Sequence, residues 1–392
     1  MLVRILAYFV PFAINFLSGG FFFITAYRFS EAGCSRTVIS SSIVAWGVAY
    51  CLLTALVGKL ASVKNALPFI LAGGVTLSLT SVGFIVFDAL YMQFLWLILA
   101  GFGAALFCTP FQLLAKDIES GSKKGVVSAT AFYTLTWSAG LASGPLAFAR
   151  FSLRQGFVIT LILSLAVTLS VVLIALLRPR GGSANAETGK SVHEVIFPEK
   201  TYDKLAILGW IVGGLGTVTV CQIRALWPKL GLDLDIPQHH NAYILAVVSY
   251  VQAIVAVMLC RSKSWMWRRL PAVLMGGCGI VTLLAFAFAA LISRHVAVFY
   301  LIAGAYGVYS GCFYFYLVYH SLAHPTRSGF FVTGNEIIVG VTSIVAPLLG
   351  GMLADICGYT EAAFVFAAVV ALAAFIAQWY MLDPVKLATG DK

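Results

Sequence analysis

The sequence predicts an all-α integral membrane protein with twelve transmembrane helices, arranged as two pseudo-symmetric six-helix bundles. Three observations predict this fold: an apolar composition, twelve apolar segments of spanning length, and similarity between the two halves. The 392 residues are 61% hydrophobic and 10% charged, whereas soluble proteins average about 45–50% apolar and about 25% charged residues. This composition excludes a water-soluble globular protein and leaves little of the chain outside the bilayer.

The spanning segments follow from hydropathy, because a transmembrane helix needs about 20 mostly apolar residues. The first six segments are 5–28, 37–60, 67–88, 91–115, 125–149 and 155–177. The second six are 205–227, 241–260, 270–292, 295–321, 328–354 and 360–382. The stretch between them is polar and charged, so we predict an N-terminal bundle over 1–177, a cytoplasmic linker over 178–204 and a C-terminal bundle over 205–392.

The distribution of lysine and arginine predicts the orientation. These residues are concentrated on the side that carries both termini and the linker, and the positive-inside rule places that side in the cytoplasm. The same bias explains the net charge of +10 without a nucleic-acid partner, since no basic face or binding motif occurs. The first apolar segment is followed by no cleavage site and is predicted to be a retained span. We therefore expect a monomeric, multi-pass protein of the cell inner membrane, surrounded by lipid.

The two halves resemble each other at a nearly constant offset. At one shift, the stretch 144–146 (Gly-Pro-Leu) falls on 346–348 (Ala-Pro-Leu), and Gly156 falls on Gly358. Arg28 and Arg224 occupy matching places near the outer ends of the first and seventh spans. A repeat of this kind predicts a substrate site between the halves, near the middle of the membrane.

Several local motifs extend this similarity to a known family. The eleventh span reads "APLLGGMLADICGY" over 346–359, the fourth reads "GFGAA" over 101–105, and the loop after the second begins "GKLA" at Gly58. With two six-span halves and a basic linker, the chain resembles the major facilitator superfamily over nearly its whole length. The resemblance implies alternating access by two bundles that rock about a central cavity, which the first, fourth, seventh and tenth spans line.

The fifth span carries "GLASGP" over 140–145, which resembles the family's exporter signature. Gly140 and Gly144 are four residues apart, and such a pair lets two helices approach backbone to backbone in lipid. The motif therefore has two interpretations that the sequence leaves open, namely export or a purely structural helix crossing.

Arg224 is the basic residue within the seventh apolar segment, four residues before Pro228 and about 6 Å from it along a helix. Three interpretations remain open. Its guanidinium reaches the outer headgroups, or it lines an outer vestibule or cavity, or it pairs with Glu31. In the cavity it would attract an organic anion and bind a carboxylate or phosphate with two hydrogen bonds. For Arg28, we expect an ion pair with Glu31, three residues later.

The tenth span has aromatic residues at helical spacing on one face, namely Tyr306, Tyr309, Phe313, Tyr316 and His320. The corresponding face of the fourth span carries Phe102, Ala105, Thr109, Gln112 and Lys116. Through the resemblance, both faces would border the substrate path, where rings bind apolar parts of a ligand and Gln112 or tyrosine hydroxyls orient it. The alternative is that both faces are helix–helix packing.

Glu336 lies nine residues past Arg327, about 13 Å along a helix, and so deep in the hydrocarbon. An ionised carboxylate is costly there, which makes Glu336 the candidate for proton coupling; a neutral, structural glutamic acid is the alternative. Further candidates for substrate binding are Asn15, Tyr133, Trp137 and Asn335.

These residues predict a secondary active transporter for a small organic anion or a polar metabolite, coupled to protons or another ion. No nucleotide-binding or metal-ligand spacing occurs in the sequence, and no cofactor is predicted. Paired carboxylates and nucleophile–base spacings are missing from the spans, so an enzyme is not expected. Two alternatives remain: an efflux pump for drugs or other lipophilic compounds, and a non-transporting sensor with a transporter-like fold.

Overall fold

The computed structural model describes residues 2–119, 125–177, 198–261, 268–292 and 295–382. Within these ranges the chain forms twelve α-helices and no strand. The helices are α1 (Leu2–Glu31), α2 (Arg36–Leu60), α3 (Ala66–Val86), α4 (Met92–Ile118), α5 (Gly125–Arg150), α6 (Leu153–Leu177), α7 (Glu199–Asp233), α8 (Gln238–Leu259), α9 (Arg269–Ile292), α10 (Val296–Ala323), α11 (Ser328–Cys357) and α12 (Glu361–Met381).

Eleven of these described helices are long and apolar enough to cross a membrane. The remaining helix, α5, is more polar because it contains several hydroxyl residues, including Thr130, Thr134 and Ser138. These side chains are buried against neighbouring helices rather than exposed to lipid, so they do not oppose a spanning position. The predicted all-α membrane fold with twelve helices is confirmed.

Helix α7 extends beyond its predicted span of 205–227 at both ends. It begins at Glu199 and continues through Pro228 to Asp233. A proline inside a packed membrane helix removes one backbone hydrogen bond, and neighbouring groups can satisfy the carbonyl that is left free. Arg224 therefore lies nine residues before the helix end, about 14 Å along the axis. Residues 178–197 of the predicted linker lie outside the described part of the chain.

The bundles meet through two equivalent pairs of helices. Helix α2 of the first half packs along α11 of the second, and α5 of the first half packs along α8 of the second. In each pair, the second helix of one half contacts the fifth helix of the other half. Such reciprocal pairing is expected when two copies of a six-helix unit are related by a two-fold axis.

The glycine pair of α5 packs directly against α1. A Cβ atom at Gly140 would lie 2.1 Å from the carbonyl oxygen of Phe12, and one at Gly144 would lie 2.2 Å from that of Phe16. Only a hydrogen in place of the side chain allows this approach. The spacing of these glycines thus serves helix packing in this bundle.

Polar contacts connect the bundles at both ends of α11. At its last turn, the carboxylate of Asp355 accepts hydrogen bonds from the backbone amides of Arg36 and Thr37, at 3.0 and 2.9 Å. At its first turn, the Ser328 hydroxyl accepts a hydrogen bond of 2.8 Å from the Lys116 ammonium. Both ends of the bundle interface are therefore bridged in this conformation.

Candidate functional site

A central cavity of about 90 Å³ lies between the two bundles. Helices α1, α2, α4 and α5 form its N-terminal wall, and α7, α10 and α11 form its C-terminal wall. It is lined by Ile14, Asn15, Ser18, Phe22, Trp46, Tyr50, Ala104, Cys108, Tyr133, Trp137, Leu141, Arg224, Tyr314, Leu317, Val318, Asn335, Glu336 and Val339. The lining thus combines aromatic rings and amides with one basic and one acidic side chain.

Arg224 lines this central cavity and also a smaller one beside it, which it shares with Phe23 and Tyr306. Its guanidinium has no ion-pair partner within the described ranges. The structure therefore agrees with the cavity interpretation of Arg224 and shows no ion pair between Arg224 and Glu31. A half-buried cation with unused hydrogen-bond donors is suited to binding an anion.

Glu336 faces the same cavity and is 7% exposed. Its carboxylate accepts hydrogen bonds from the Tyr50 hydroxyl of α2 and from the Gln112 amide of α4. Both donors belong to the N-terminal bundle, whereas Glu336 belongs to the C-terminal bundle. This side chain therefore connects the bundles through hydrogen bonds, which are stronger when the carboxylate is ionised than when it is neutral.

Gln112 does not line the cavity but forms hydrogen bonds with neighbouring side chains. It is fully buried and donates to Glu336 and, at 3.4 Å, to the hydroxyl of Tyr133. Tyr133 itself lines the cavity. Gln112 is thus a positioning residue for the carboxylate, and the expectation that it borders the substrate path is wrong for this conformation.

The two predicted asparagines both line the cavity. The Nδ2 of Asn15 donates to the Pro11 carbonyl at 2.8 Å, which leaves its oxygen available. The Oδ1 of Asn335 accepts a hydrogen bond of 2.8 Å from the Ser321 hydroxyl, and its Nδ2 donates to Leu317. Asn15 retains more hydrogen-bonding capacity for a ligand than Asn335 does.

The aromatic face of α10 mostly turns away from the central cavity. Tyr309 packs on Gly279 of α9, and Tyr316 borders a small internal space with Gln378 of α12. Tyr306 is fully buried, bonds to the Thr219 hydroxyl at 2.6 Å and reaches only the smaller cavity beside Arg224. The expectation that this face lines the substrate path is wrong, because these large rings fill the core of the C-terminal bundle.

The predicted face of α4 is also incorrect. Phe102 is 36% exposed at the outside of the protein, and the residues of α4 that reach the cavity are Ala104 and Cys108. Arg28 likewise does not pair with Glu31, since its guanidinium forms an ion pair of 2.5 Å with Asp88. Residues 60 positions apart in sequence meet here, which no local spacing could indicate.

Sequence reasoning missed four aromatic residues of the site: Phe22, Trp46, Tyr50 and Tyr314. Trp46 and Tyr50 are four residues apart on α2, and their rings stack with centroids 4.5 Å apart. Tyr314 packs edge to face on Trp137 at 4.8 Å. The four-residue spacing on α2 was a usable signal, whereas Tyr314 is one aromatic residue among many in α10.

Two bundles of membrane helices around a central cavity are the arrangement found in membrane transporters. The sequence model of the Major Facilitator Superfamily matches residues 6–337 of this chain. The chain belongs to this superfamily. The search of curated proteins by sequence found no match.

Solved structures support the same fold. The nucleoside transporter NupG aligns with a TM-score of 0.65 at 13% identity, over 98% of this chain and 100% of that chain. A single-site mutant of NupG aligns with a TM-score of 0.64 at 14% identity, over 97% and 99% of the two chains. At this level of identity the similarity extends to the fold alone.

Proposed function

We propose that the protein is a secondary active transporter that moves a small organic anion or a polar metabolite across the membrane and is coupled to protons. The observation that carries this proposal is the presence of Arg224 and Glu336 in one cavity between the bundles. Ionisable groups in membrane segments mark substrate and ion pathways. The sequence contains no nucleotide-binding pattern, so an ion gradient supplies the energy.

Arg224 is the proposed binding residue for the anion. Its planar guanidinium offers donors that match a carboxylate or a phosphate, and the surrounding cavity wall strengthens such an interaction relative to water. Asn15, Tyr133 and Trp137 complete the proposed contacts from the opposite bundle. A ligand held between Arg224 and these residues would touch both bundles, as alternating access requires.

Glu336 is the proposed proton-coupling residue. In its ionised form it accepts hydrogen bonds from Tyr50 and Gln112, and charge-assisted bonds of this kind are about twice as strong as neutral ones. Protonation removes the charge and weakens both contacts. Proton binding would therefore loosen the connection of α11 to α2 and α4, and proton release would restore it.

The proposed setting is the cell inner membrane, with both termini in the cytoplasm and a monomeric protein embedded in lipid. The excess of lysine and arginine on the side of the termini supports this orientation. In this orientation, the contact of Asp355 with Arg36 lies on the outer side and the contact of Lys116 with Ser328 on the inner side.

A second candidate is an efflux pump for lipophilic compounds, because aromatic rings make up much of the cavity lining, among them Phe22, Trp46 and Trp137. The structural neighbours are nucleoside transporters, and a neutral nucleoside would fit the polar-metabolite branch of the proposal. A sensor that binds a ligand without transport is the remaining alternative. The effects of substituting Arg224 and Glu336 on ligand binding and on transport distinguish these candidates.

The test has two parts. Thermal-shift measurements on the purified protein with anionic, neutral and cationic metabolites should show stabilisation by anions that is lost in Arg224→Ala. Uptake or efflux of the stabilising anion in proteoliposomes should respond to an imposed pH gradient, and Glu336→Gln should abolish that response while leaving binding intact. Stabilisation by lipophilic cations alone would contradict the anion proposal, and binding without any flux would identify a sensor.

A further inference from the structure

A second space, the α5–α8 groove, lies on the side of the protein where α5 of the N-terminal bundle packs along α8 of the C-terminal bundle. Its volume is about 760 Å³, against about 90 Å³ for the central cavity. Leu146 of α5 and Val247 of α8 lie in its walls, so each bundle contributes one side. Tyr250, also in the wall, is 38% exposed. The groove therefore opens sideways toward the membrane.

The groove runs from one end of the helix bundle toward the middle of the membrane. Arg150 is the last residue of α5, and Ser143, seven residues earlier, lies about 10 Å deeper along the helix. Tyr250 lies twelve residues past Gln238, the first residue of α8, which is about 18 Å along the axis. One leaflet contributes about 15 Å of hydrocarbon, half of a core of about 30 Å. The groove thus has the length of one acyl chain in that leaflet.

The deep part of the groove suits hydrocarbon. Phe16 of α1 and Ile159 of α6 extend its apolar lining beyond α5 and α8. The hydroxyls of Ser143 and Tyr250 form a hydrogen bond of 2.9 Å with each other, so these two polar groups are paired. Such a surface gains by contact with an acyl chain and offers little to a polar solute.

The mouth of the groove carries positive charge. Arg150 lines it, is exposed and forms no ion pair within the described ranges. No aspartate or glutamate of the described chain lines the groove. Tyr243 and Tyr300 border it near the first turns of α8 and α10, at the same end, and tyrosine rings favour the level of the headgroups. A cation above an apolar groove matches an anionic headgroup with its chain.

We propose that the α5–α8 groove binds one anionic phospholipid, with its phosphate at Arg150 and one acyl chain along the apolar walls. The bound lipid contacts both bundles, because Leu146 and Val247 belong to different ones. It therefore stabilises the arrangement in which the two bundles are packed together at this end. None of the residues that line the groove lines the central cavity, so this site is independent of the proposed substrate.

Two matched lipids test this proposal. Dioleoylphosphatidylglycerol and dioleoylphosphatidylcholine share their chains and their phosphate, and they differ in net charge. Native mass spectrometry of the full-length protein, titrated with each lipid in detergent, measures the affinity of the first bound lipid. One arginine near an anionic lipid contributes about 1 kcal/mol, so phosphatidylglycerol should bind roughly 5-fold more tightly than phosphatidylcholine.

The charge is tested by two arginine variants. Arg150→Gln should remove most of the preference for phosphatidylglycerol, and Arg150→Lys should retain it. Arg154→Gln is the matched control, because Arg154 is an exposed arginine in the first turn of α6, at the same end, and does not line the groove. It removes the same charge and should leave the preference nearly intact.

The groove itself is tested by filling it. Leu146→Trp leaves the charge unchanged and should weaken the first binding of both lipids several-fold, because the new ring occupies the path of the chain. Leu169→Trp on α6 is its control, since Leu169 is 60% exposed and lies outside the groove. If Leu146→Trp fails to fold, the comparison of Arg150→Gln with Arg154→Gln still decides.

Three results would overturn the proposal. Equal binding of the two lipids by the wild type would show that the groove does not select for charge. An equal loss of preference in Arg150→Gln and Arg154→Gln would mean that the positive end of the protein attracts anionic lipid without a defined site. Unchanged lipid binding in a folded Leu146→Trp would show that the chain lies elsewhere.

Discussion

Glu336 shows how a single residue can connect charge to the contact between bundles. It lies in the membrane interior, and its carboxylate has two donors, both from the opposite bundle. Burial of an ionised group is tolerated only when its oxygens are hydrogen-bonded. The stability of this interface should therefore depend on the ionisation of one side chain.

The first prediction concerns Tyr50, which donates to Glu336. Tyr50→Phe removes one hydrogen bond to a charged acceptor, which is worth about 1.5–3 kcal/mol, whereas the bond to a neutral carboxyl is worth about 0.5–1.5 kcal/mol. The loss of thermal stability should thus be greater at high pH, where Glu336 is ionised, than at low pH. Melting temperatures measured across pH for wild type and variant test this difference.

The matched control uses a Glu336→Gln background, in which the side chain cannot ionise. There, Tyr50→Phe should lower the melting temperature by the same amount at every pH. A pH-dependent difference that persists in this background would assign the effect to another group and would refute the role of Glu336.

At the scale of helices, small residues determine which elements can approach each other. Helices α1 and α5 make one of the most extensive contacts in the N-terminal bundle, and Gly140 and Gly144 lie at its centre. In lipid, such packing replaces the hydrophobic effect as the source of helix association. This helix pair also positions Asn15 and Trp137 on the cavity wall.

The second prediction is that Gly144→Leu disrupts this pair. The new Cβ would lie 2.2 Å from the Phe16 carbonyl and 2.4 Å from the amide nitrogen of Gly20, and neither backbone atom can move aside. We expect a destabilisation of about 3 kcal/mol and poor expression. Thermal unfolding in detergent measures it.

The control is Gly277→Ala on α9, since no atom lies within 4 Å of the added Cβ. Its melting temperature should stay equal or rise slightly, because alanine favours a helix more than glycine does. Similar losses in both variants would mean that the substitutions act through general helix properties and not through contact with α1.

At the scale of the whole molecule, alternating access requires that one end of the bundle interface opens while the other stays closed. Here both ends of α11 are bridged: Asp355 accepts from the amides that begin α2, and Ser328 accepts from Lys116 of α4. The amides at the start of a helix have no partner within it, so Asp355 serves as a cap supplied by the other bundle.

The third prediction is that Asp355→Ala favours an opening of the end near Arg36. Loss of a helix cap costs about 1–2 kcal/mol, which corresponds to roughly a 5–30-fold change in population. Electron–electron distance measurements between spin labels at Ala32 and Tyr359, in a variant without native cysteines, should show a new, longer component.

The opposite variant serves as the control. Ser328→Ala removes the contact with Lys116 and should lengthen distances between labels at Ser62 and Pro325, at the other end, while leaving the first pair unchanged. If Asp355→Ala lengthened both distances, it would loosen the protein in general and would not act on one side of the interface.

The sequence by itself determined the class of fold and the ionisable residues worth considering. Twelve apolar segments, a polar interruption after residue 177 and repeated motifs were sufficient for two six-helix bundles, because a span must satisfy its backbone as a helix and bury its polar groups away from lipid. Glu336 was identifiable for the same reason, since a carboxylate in hydrocarbon is costly.

Only the tertiary structure decided which faces of the helices line the cavity. An aromatic stripe has the same sequence pattern whether it borders a ligand or fills a bundle, and Tyr309 and Tyr316 fill the bundle while Trp46 borders the cavity. The rotation of each helix about its own axis, which sets the face that lines the cavity, depends on the helices packed around it. For this reason the junction of Arg224 and Glu336 appears only when both bundles are assembled.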